Sequence, residues 1–361
     1  MIQLIECVPN FSEGRDANII DQIADAIDSV EGVKLLNVDP GHAANRTVMT
    51  FIGTPQEVID AAFLGIRKAA ELIDMSQQTG EHPRIGAADV CPLIPISNIE
   101  MQEVVAYAHQ LGERIGNELN IPGYYYEFAA IKKERRNLAV VRQGEYEGLK
   151  TKLADPNWKP DFGPNEFKTA KITGATAISA RNFLIAYNIN LNTSSTKIAH
   201  TIACDVREKG RIKREGNKKD GQIIRDKQGK PLWNPGTLKH LKAIGWYIEE
   251  YQLAQVSMNL TNMLKTPIHT VFEEVSKKAT LRGVKVTGSE LIGLIPKSAL
   301  LSAGNYFIGN KGKSSTFSER EIIEVAVNKI GLNALAPFHI DERIIEYALN
   351  EDFGSQSDSQ P

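Results

Sequence analysis

Residues 79–95 read Thr-Gly-Glu-His-Pro-Arg-Ile-Gly-Ala-Ala-Asp-Val-Cys-Pro-Leu-Ile-Pro, a polar turn followed by an apolar run. The turn contains one imidazole, His82, between a glycine and a proline that are typical of tight turns. The run from Val90 to Ile94 predicts a strand, and Pro92 within it favours the edge of a sheet. His82 is therefore expected on a loop that a core strand fixes at one end, a usual position for a catalytic side chain. A loop histidine that only bonds a neighbouring backbone group fits the same local pattern.

The first half of the chain predicts alternating strands and helices. Their order is strand, helix, strand, strand, helix, strand. The predicted strands are residues 2–8, 33–38, 47–52 and 90–94. The first helix begins at Asp16, and the second begins at Thr54-Pro55-Gln56-Glu57. A third helix is expected after a cap at Ser97-Asn98-Ile99-Glu100, and Tyr124-Tyr125-Tyr126 favours a further strand. This order is that of the ferredoxin-like unit.

The second half repeats the pattern. Its predicted elements are a strand over Phe183 to Leu191, a helix over Ser195 to Arg207, strands over residues 241–248 and 253–260, a helix from Thr266-Pro267, and a strand ending in Leu294-Ile295-Pro296. We therefore expect a duplicated α+β protein with two ferredoxin-like (βαββαβ) subdomains, each a mostly antiparallel sheet with helices on one face. The expected divisions are residues 1–180, residues 181–331, and residues 332–361 as a last helix and a disordered tail. A groove between two such units is a preferred ligand site.

Composition excludes several classes of protein. The formal net charge of -2 argues against general attraction to nucleic acid or to membrane surfaces. The three cysteines are far apart, and the first residues resemble no secretory signal, which indicates a reducing, cytoplasmic location. No apolar run is long enough for a membrane span. The histidines lack the close spacing of metal ligands, so no metal is expected.

Three segments stand apart from the repeated pattern. The charge run 132–136 is typical of a solvated helix face, with steering of a polyanionic ligand as the alternative. Residues 151–174 suit a long ordered connection between the two halves. The insertion at residues 209–236 is rich in Lys, Arg, Asp and Gly, which predicts an exposed, partly mobile loop, with a lid as the alternative.

Several motifs resemble the glutamate formimidoyltransferase family in order and spacing. They are Glu6-Cys7-Val8-Pro9-Asn10-Phe11-Ser12-Glu13-Gly14, Asp39 through Asn45-Arg46-Thr47-Val48, Leu72-Ile73-Asp74-Met75-Ser76, Thr79-Gly80-Glu81-His82-Pro83-Arg84, Gly144-Glu145-Tyr146-Glu147, Asp161-Phe162-Gly163-Pro164, Phe183 to Leu191, Gly245-Trp246-Tyr247, and Arg343-Ile344-Ile345-Glu346-Tyr347. The resemblance covers almost the whole chain except the insertion and the tail.

The resemblance implies an activity and a catalytic residue. Members of the family transfer a formimidoyl group from N-formimidoylglutamate to N5 of tetrahydrofolate in histidine breakdown, and the histidine of the Gly-Glu-His-Pro-Arg loop, here His82, is catalytic. The attacking nitrogen sheds a proton and the departing glutamate nitrogen gains one, so an imidazole with an ordinary pKa of about 6.5 could serve as base and then as acid. The chain stops about where the cyclodeaminase of bifunctional members begins. We therefore expect a stand-alone enzyme, a homodimer by resemblance, whose product a separate cyclodeaminase consumes.

The substrates suggest further site residues. The cationic amidine calls for a carboxylate, with Asp39, Glu81 and Asp89 as candidates, although each also fits a turn or cap. The anionic glutamate groups call for arginine, and Arg46 and Arg84 are chosen against the alternative of local ion pairing. Asn10 and Asn188, in or just after the first strand of each half, could read the edge of the pterin or simply form turns.

By resemblance, the segment after Asp161-Phe162 lines the folate site. Its residues are Gly163, Pro164, Asn165, Glu166, Phe167, Lys168, Thr169, Ala170, Lys171, Ile172, Thr173 and Gly174. Phe167 offers a ring surface, and Lys168 and Lys171 offer positive charge. The segment departs from the family pattern in length and in lacking a tryptophan.

Three alternatives remain open at this point. Transfer of a formyl group between the same partners would use the same fold and the same histidine. A folate-binding protein without turnover would bind folate yet consume neither donor. A tandem ferredoxin-like interaction module would bind no folate.

Overall fold

A computed structural model describes residues 2–217, 221–309 and 317–353. The chain divides after Asn182 into two compact units. Within the described ranges, no helix combines the length and the apolar character needed to cross a membrane. The tail at 354–361, for which the sequence predicts disorder, lies outside the described residues.

The first unit alternates strands and helices along its whole length. Its elements are β1 Leu4–Cys7, β2 Asn10–Phe11, α1 Ala17–Asp28, β3 Lys34–Gly41, β4 Arg46–Gly53, α2 Pro55–Leu72, β5 Ala88–Ser97, α3 Met101–Glu118, β6 Gly123–Glu127, α4 Leu138–Val141, α5 Leu149–Ala154, α6 Phe167–Thr173 and β7 Thr176–Ala180, with short 3₁₀ turns at Lys133–Arg136 and Pro156–Trp158.

The sheet of the first unit joins an antiparallel part to a parallel extension. β4 pairs antiparallel with β3, β1 and β2, and the last two pair antiparallel with β5. β7 then pairs parallel with both β5 and β6. The antiparallel part, with α1 and α2, has the predicted strand-helix-strand-strand-helix-strand order, and the ferredoxin-like α+β class is confirmed.

The starts of the helices follow the local sequence. The side chain of Asp16 accepts hydrogen bonds from the amides of Asn18 and Ile19 at the start of α1. Thr54 and Glu57 form the predicted capping box of α2. The predicted cap of α3 is wrong by a few residues: Ser97 is still the last residue of β5, and Glu100 caps the helix instead.

The prediction that β5 is an edge strand is also wrong. β5 lies inside the sheet, between β1 and β2 on one side and β7 on the other. The carbonyl of Pro92 accepts a hydrogen bond from the amide of Val8, at 3.2 Å, on the side where the chain passes from β1 to β2. In a strand, the N–H and C=O of one residue point to the same side. Pro92 has no N–H to donate, but the position of that missing donor faces the break between β1 and β2. No strand residue in the described part of the chain needs a hydrogen bond from it there, so the sheet tolerates proline at this position.

The two faces of this sheet carry different layers. One face forms a core with α1, α2 and α3, to which Phe11, Phe51 and Leu93 contribute from the strands. On the other face, strand residues including Val90 and Tyr124 pack with residues of α4, α5 and α6. The sequence did not predict this second layer, which covers the β5–β7–β6 part of the sheet and brings the end of α4 near the start of β5.

The charge run at 132–136 is mostly exposed, as the sequence predicts, but Arg135 is not. Its side chain is buried and forms an ion pair with the buried carboxylate of Asp161. Its guanidinium also donates to the carbonyl of Lys159 at 2.8 Å. Arg135 is therefore a buried structural residue, and its bonds to Lys159 and Asp161 hold the connection after β6 in place.

The second unit repeats the antiparallel part of the first. Its described elements are β8 Ile185–Leu191, α7 Thr196–Val206, β9 Arg211–Ile212, β10 Trp233–Asn234, β11 Leu241–Ile248, β12 Leu253–Leu260, α8 Ile268–Thr280, β13 Val286–Ile292, α9 Lys297–Ile308, α10 Glu319–Lys329, α11 Ile340–Arg343 and α12 Ile345–Phe353. The antiparallel order β11-β12-β8-β13 corresponds to β3-β4-β1-β5 in the first unit. The described part of the insertion is largely exposed and includes the antiparallel pair β9 and β10.

Candidate active site

The loop that carries His82, residues 79–84, is fastened to the turn between β3 and β4. Asn45, in the left-handed conformation with φ 46°, donates from Nδ2 to the carbonyl of Thr79 at 2.8 Å. Its Oδ1 accepts from the amide of Gly14 at 3.0 Å, so one side chain joins three loops. A Cβ at Gly80 would lie 2.3 Å from the carbonyl oxygen of Ala44, so this close approach requires glycine.

His82 is half-buried, and its ring is oriented by the residue that follows it. Nδ1 lies 2.8 Å from the carbonyl oxygen of Pro83. Since a carbonyl oxygen only accepts hydrogen bonds, Nδ1 carries the proton and Nε2 carries the lone pair. The same carbonyl accepts a longer bond, 3.4 Å, from Nη1 of Arg46. The geometry thus assigns Nε2 as the basic nitrogen of the ring.

Next to His82 lies a cluster of three charged side chains, Arg46, Asp89 and Arg142, here called the Arg46 cluster. Both guanidinium groups form ion pairs with the carboxylate of Asp89, which has no exposed surface. The amide of Ile85 donates to Oδ1 of Asp89 at 2.9 Å, and Nε of Arg46 donates to Oδ1 of Asn10 at 3.0 Å. Two positive charges share one negative charge, so the cluster has a net positive charge.

The charges of the cluster shift the pKa values of its own members and that of His82. Burial alone would raise the pKa of Asp89, but Arg142 and Arg46 outweigh it and hold that pKa below its ordinary value. Burial, against the attraction of Asp89, lowers the pKa of Arg46 to about 10, so the guanidinium stays charged at neutral pH. Burial and then the charges of Arg46 and Arg142 lower the pKa of His82 to about 3. His82 is therefore a neutral imidazole at neutral pH.

The structure brings together some of the residues that the sequence singles out. Asn10, Arg46 and His82 lie in one group, joined through Asp89 and the carbonyl of Pro83. Asp39 lies on β3 and pairs with Val48 of β4.

Arg84 lies in the His82 loop, but its guanidinium is occupied by local partners. It donates to both carboxylate oxygens of Glu147, at 2.9 and 2.7 Å, and to Oε1 of Gln78 at 2.7 Å. The hydrogen bond to Glu147, and then the charges of Glu147 and Glu145, raise the pKa of Arg84. The local ion pairing that the sequence left open as the alternative is present for this residue.

Asn188 lies on β8 of the second unit, in a different polar network. It is almost fully buried and donates from Nδ2 to Oε2 of Glu290 at 3.1 Å. The same carboxylate accepts from Gln255 at 3.2 Å and from Tyr251 at 3.0 Å. Asn188 is thus a member of a hydrogen-bonded cluster on the sheet, not a turn residue.

The segment at 163–174, predicted to line a folate site, ends beside the strand that leads out of the His82 loop. Gly174 forms a β-bridge with Gly86, and the amide of Ala87 donates to the carbonyl of Thr173 at 2.8 Å. Gly174 has φ 68°, and a Cβ there would lie 2.3 Å from the carbonyl oxygen of Ile85. The side chains of Lys168 and Lys171 are exposed. Contact of this segment with folate stays a prediction.

Arg142 is the residue of this group that the sequence did not single out. It follows α4 and reaches Asp89 across 53 positions of the chain, at 3.3 Å from its Nε to Oδ1. Its one sequence signal is its place just before the Gly144-Glu145-Tyr146-Glu147 motif, which also supplies the partner of Arg84. A lone arginine after a short apolar stretch gives no local pattern that indicates a site.

Comparison with curated proteins finds relatives along the whole chain. A formimidoyltransferase-cyclodeaminase of Dictyostelium discoideum is 46% identical over 98% of this chain and 61% of its own length. A glutamate formimidoyltransferase of Thermoplasma acidophilum is 42% identical over 91% of this chain and 98% of its own length. A glutamate formimidoyltransferase of Streptococcus pyogenes is 40% identical over 85% of this chain and 94% of its own length. The chain thus spans about three fifths of the cyclodeaminase-containing relatives.

Family profiles match both halves of the chain. The profile described as the N-terminal subdomain of the formiminotransferase domain matches residues 4–181, and that described as the formiminotransferase domain matches residues 186–350. Together they include the His82 loop, the Arg46 cluster and the network around Asn188. The resemblance inferred from the motifs is confirmed, and the chain belongs to the formiminotransferase family.

Proposed function

We propose that the chain transfers the formimidoyl group of N-formimidoyl-L-glutamate to N5 of tetrahydrofolate. The products are 5-formimidoyltetrahydrofolate and L-glutamate, and the step belongs to histidine degradation. The observation that carries this proposal is His82, a neutral imidazole with a fixed tautomer beside a cluster of net positive charge. The relatives from Thermoplasma acidophilum and Streptococcus pyogenes are glutamate formimidoyltransferases by name, which supports the same reaction.

The reaction needs two proton transfers at one centre. N5 of tetrahydrofolate attacks the amidine carbon, and the new C–N bond leaves N5 with a proton that Nε2 of His82 accepts. The tetrahedral intermediate then breaks the bond between that carbon and the glutamate nitrogen, which takes the proton from His82 and leaves as the amine. A positioned acid and base contributes about 10²- to 10⁴-fold to such a rate, and holding the two substrates together supplies much of the rest.

The lowered pKa changes how His82 would act. The sequence suggested an imidazole with its ordinary pKa of about 6.5. In the structure, burial and the two guanidinium groups lower the pKa of His82 to about 3. The free enzyme therefore always presents the base form at neutral pH, and the imidazolium formed during the reaction is a strong acid toward the departing nitrogen.

Other parts of the chain take supporting roles in this proposal. Residues 163–174 contact the folate, which their position beside Gly86 and Ala87 supports. Arg46 binds a carboxylate of the donor, whereas Arg84, whose donors are used by Glu147 and Gln78, holds the loop. Asp39 favours the cationic amidine, and Asn10 and Asn188 contact polar edges of the substrates. The enzyme works as a cytoplasmic homodimer.

A two-donor assay tests the proposal. The full-length protein is incubated with tetrahydrofolate and either N-formimidoyl-L-glutamate or N-formyl-L-glutamate, and release of L-glutamate is measured. We expect release from the formimidoyl donor, with much less from the formyl donor. Release from the formyl donor alone would assign a formyltransferase, and binding of folate without release from either donor would overturn an enzymatic function.

A further inference from the structure

The Arg46 cluster contains more positive than negative charge in a mostly buried place. The exposed fractions of the Arg46 and Arg142 side chains are 7% and 13%, and that of Asp89 is zero. Charged groups that are largely removed from water are costly unless opposite charges balance them. With His82 neutral, Asp89 balances only one of the two guanidinium groups. One further anion would therefore bring the net charge of the cluster to zero.

The hydrogen-bond donors of the cluster point to the same conclusion. In Arg46, Nε donates to Asn10, and Nη1 donates to Asp89 and to the carbonyl of Pro83. Asp89 engages Nε and Nη2 of Arg142. Among the described residues, neither Nη2 of Arg46 nor Nη1 of Arg142 has a hydrogen-bond partner. A carboxylate is the planar anion that arginine donors bind best.

The chemistry of the donor identifies the carboxylate, if the proposed function holds. The α-carboxylate of N-formimidoyl-L-glutamate is attached to the carbon that bears the reacting nitrogen, so it stays within a few bonds of the proton that His82 moves. The γ-carboxylate lies two methylenes further away. The glutamate tail of folate lies beyond the aminobenzoyl ring, far from N5. The α-carboxylate is therefore the group that reaches a site adjoining His82.

We propose that the α-carboxylate of the glutamate donor binds between Arg142 and Arg46, which Asp89 positions side by side. Arg142 and Arg46 are the residues that contact the ligand, and Asp89 acts through them. This inference rests on the proposed function for the identity of the ligand. The cluster itself, its burial and its net charge are properties of the first unit.

Binding at this site would change the basicity of His82. The charged groups that act on the ring are Arg46 on β4, Arg142 after α4 and Asp89 on β5, together with the carbonyl of Pro83. A bound carboxylate cancels the net positive charge of the cluster and favours the protonated form of His82. Occupation of the donor site therefore makes His82 a stronger base, and catalysis is coupled to binding of the correct substrate.

A ligand series with the wild-type protein tests the site without any variant. Calorimetry compares L-glutamate with L-isoglutamine, in which the α-carboxylate is an amide, and with L-glutamine, in which the γ-carboxylate is an amide. Loss of a charged hydrogen bond predicts binding of L-isoglutamine that is about 10- to 100-fold weaker than that of L-glutamate, with a smaller loss for L-glutamine. Equal binding of L-isoglutamine and L-glutamate would overturn the inference.

Variants distinguish a specific role of Arg142 in binding from a general effect of removing a positive charge. Arg142→Gln should weaken L-glutamate binding by a similar factor, whereas Arg67→Gln, at a half-exposed residue paired with Glu71 at 3.9 Å, should leave it unchanged. Folate and pteroate, which lacks the glutamate tail, are titrated in parallel. If Arg142→Gln weakens folate but not pteroate, and leaves L-glutamate unaffected, the cluster binds the folate tail and the inference fails.

Proton NMR of His82 gives a readout that a merely structural role would not move. The signal is identified by its loss in His82→Asn. Saturating L-glutamate should shift the titration of His82 to higher pH in the wild type but not in Arg142→Gln, and an unchanged titration in the wild type would count against the site. The ligand series and this wild-type titration decide the matter even if the variant does not fold. A wild-type protein that distinguishes L-glutamate from L-isoglutamine yet consumes no donor would refute the proposed function while leaving the carboxylate site intact.

Discussion

Arg46 and Asp89 form an ion pair in which the carboxylate has no exposed surface and the guanidinium is 7% exposed. Arg142 pairs with the same carboxylate, so Asp89, at the start of the interior strand β5, holds both cations. The stability of the first unit and the electrostatics at His82 therefore depend on the same side chain.

Replacing Asp89 with Asn should destabilise the first unit strongly. It leaves two largely buried guanidinium groups without a counter-charge, which costs about 3–5 kcal/mol. Native-state hydrogen exchange of the β5 amides measures the free energy of opening in this unit. Glu71→Gln, at a half-exposed residue that pairs with Lys68 at 2.7 Å, is the control and should change stability by less than about 0.5 kcal/mol. A loss of stability no larger than that of the control would show that the cluster is not structural.

Replacing His82 with Asn should slow turnover strongly without unfolding the protein. We expect the transfer rate to fall about 10²- to 10⁴-fold, because Asn keeps a polar group near Pro83 but cannot accept and return a proton. Folate binding, measured by fluorescence, should change little. His240→Asn, at an exposed histidine of the second unit with φ 52°, is the matched control. Equal activity of the two variants would rule His82 out as the base.

Replacing Gly80 with Ala should lower activity through displacement of the His82 loop. The new Cβ would lie 2.3 Å from the carbonyl oxygen of Ala44, so the loop must move. A shift of about 1 Å in a catalytic group can cost about 10²-fold in rate. At Gly229, which is exposed and has φ 78°, a Cβ meets nothing within 4 Å, so Gly229→Ala strains only the local turn and should keep the wild-type kcat/KM. A Gly80→Ala enzyme with wild-type kinetics would show that the loop position does not set the rate.

Glu6 gives a prediction for the pH dependence of stability. It lies on β1, is 1% exposed, and its Oε2 has no hydrogen-bond partner within the described residues. Burial, opposed by the charge of Arg181, raises the pKa of Glu6 from 4.5 to about 7. A carboxyl whose folded pKa is raised contributes stability below its unfolded pKa and loses that contribution as the pH rises through the folded value.

Glu6→Gln should therefore stabilise the protein at alkaline pH. The gain over the wild type should reach roughly 3 kcal/mol above the raised pKa and vanish near the ordinary one. Urea denaturation at about pH 5 and about pH 8 measures the difference. Glu31→Gln, at an exposed position, should show no such dependence. A gain that is equal at both pH values would mean that Glu6 does not titrate in this range.

The sequence was most informative where the physics is local. The capping box of Thr54 and Glu57, the strands β11 and β12 and the second βαββαβ unit were all predicted because caps, turns and hydrophobic periods are read from neighbouring residues. Strong family motifs also indicated His82 and Arg46. These features need no knowledge of which distant segments meet.

The errors arise where distant segments meet. Pro92 suggested an edge strand, but the break between β1 and β2 lets it sit inside the sheet. The sequence favours Arg84 as a ligand-binding residue, which stays a prediction, but it does not reveal that Arg84 pairs with Glu147, at a separation of 63 positions. The sequence does not single out Arg142, because the residue that it contacts, Asp89, lies 53 positions away along the chain.

The sequence by itself determined the family and the repeated order of strands and helices. It also singled out His82 of the Gly-Glu-His-Pro-Arg loop as the candidate base. Each of these features is encoded in contiguous residues. Only the tertiary structure decided which arginines stand beside that imidazole and how basic it is. The pKa of His82 depends on burial and on the charges of Arg46 and Arg142, which folding brings to it from two other segments of the chain. Desolvation and Coulomb interactions act through space, so distance along the chain does not reveal them.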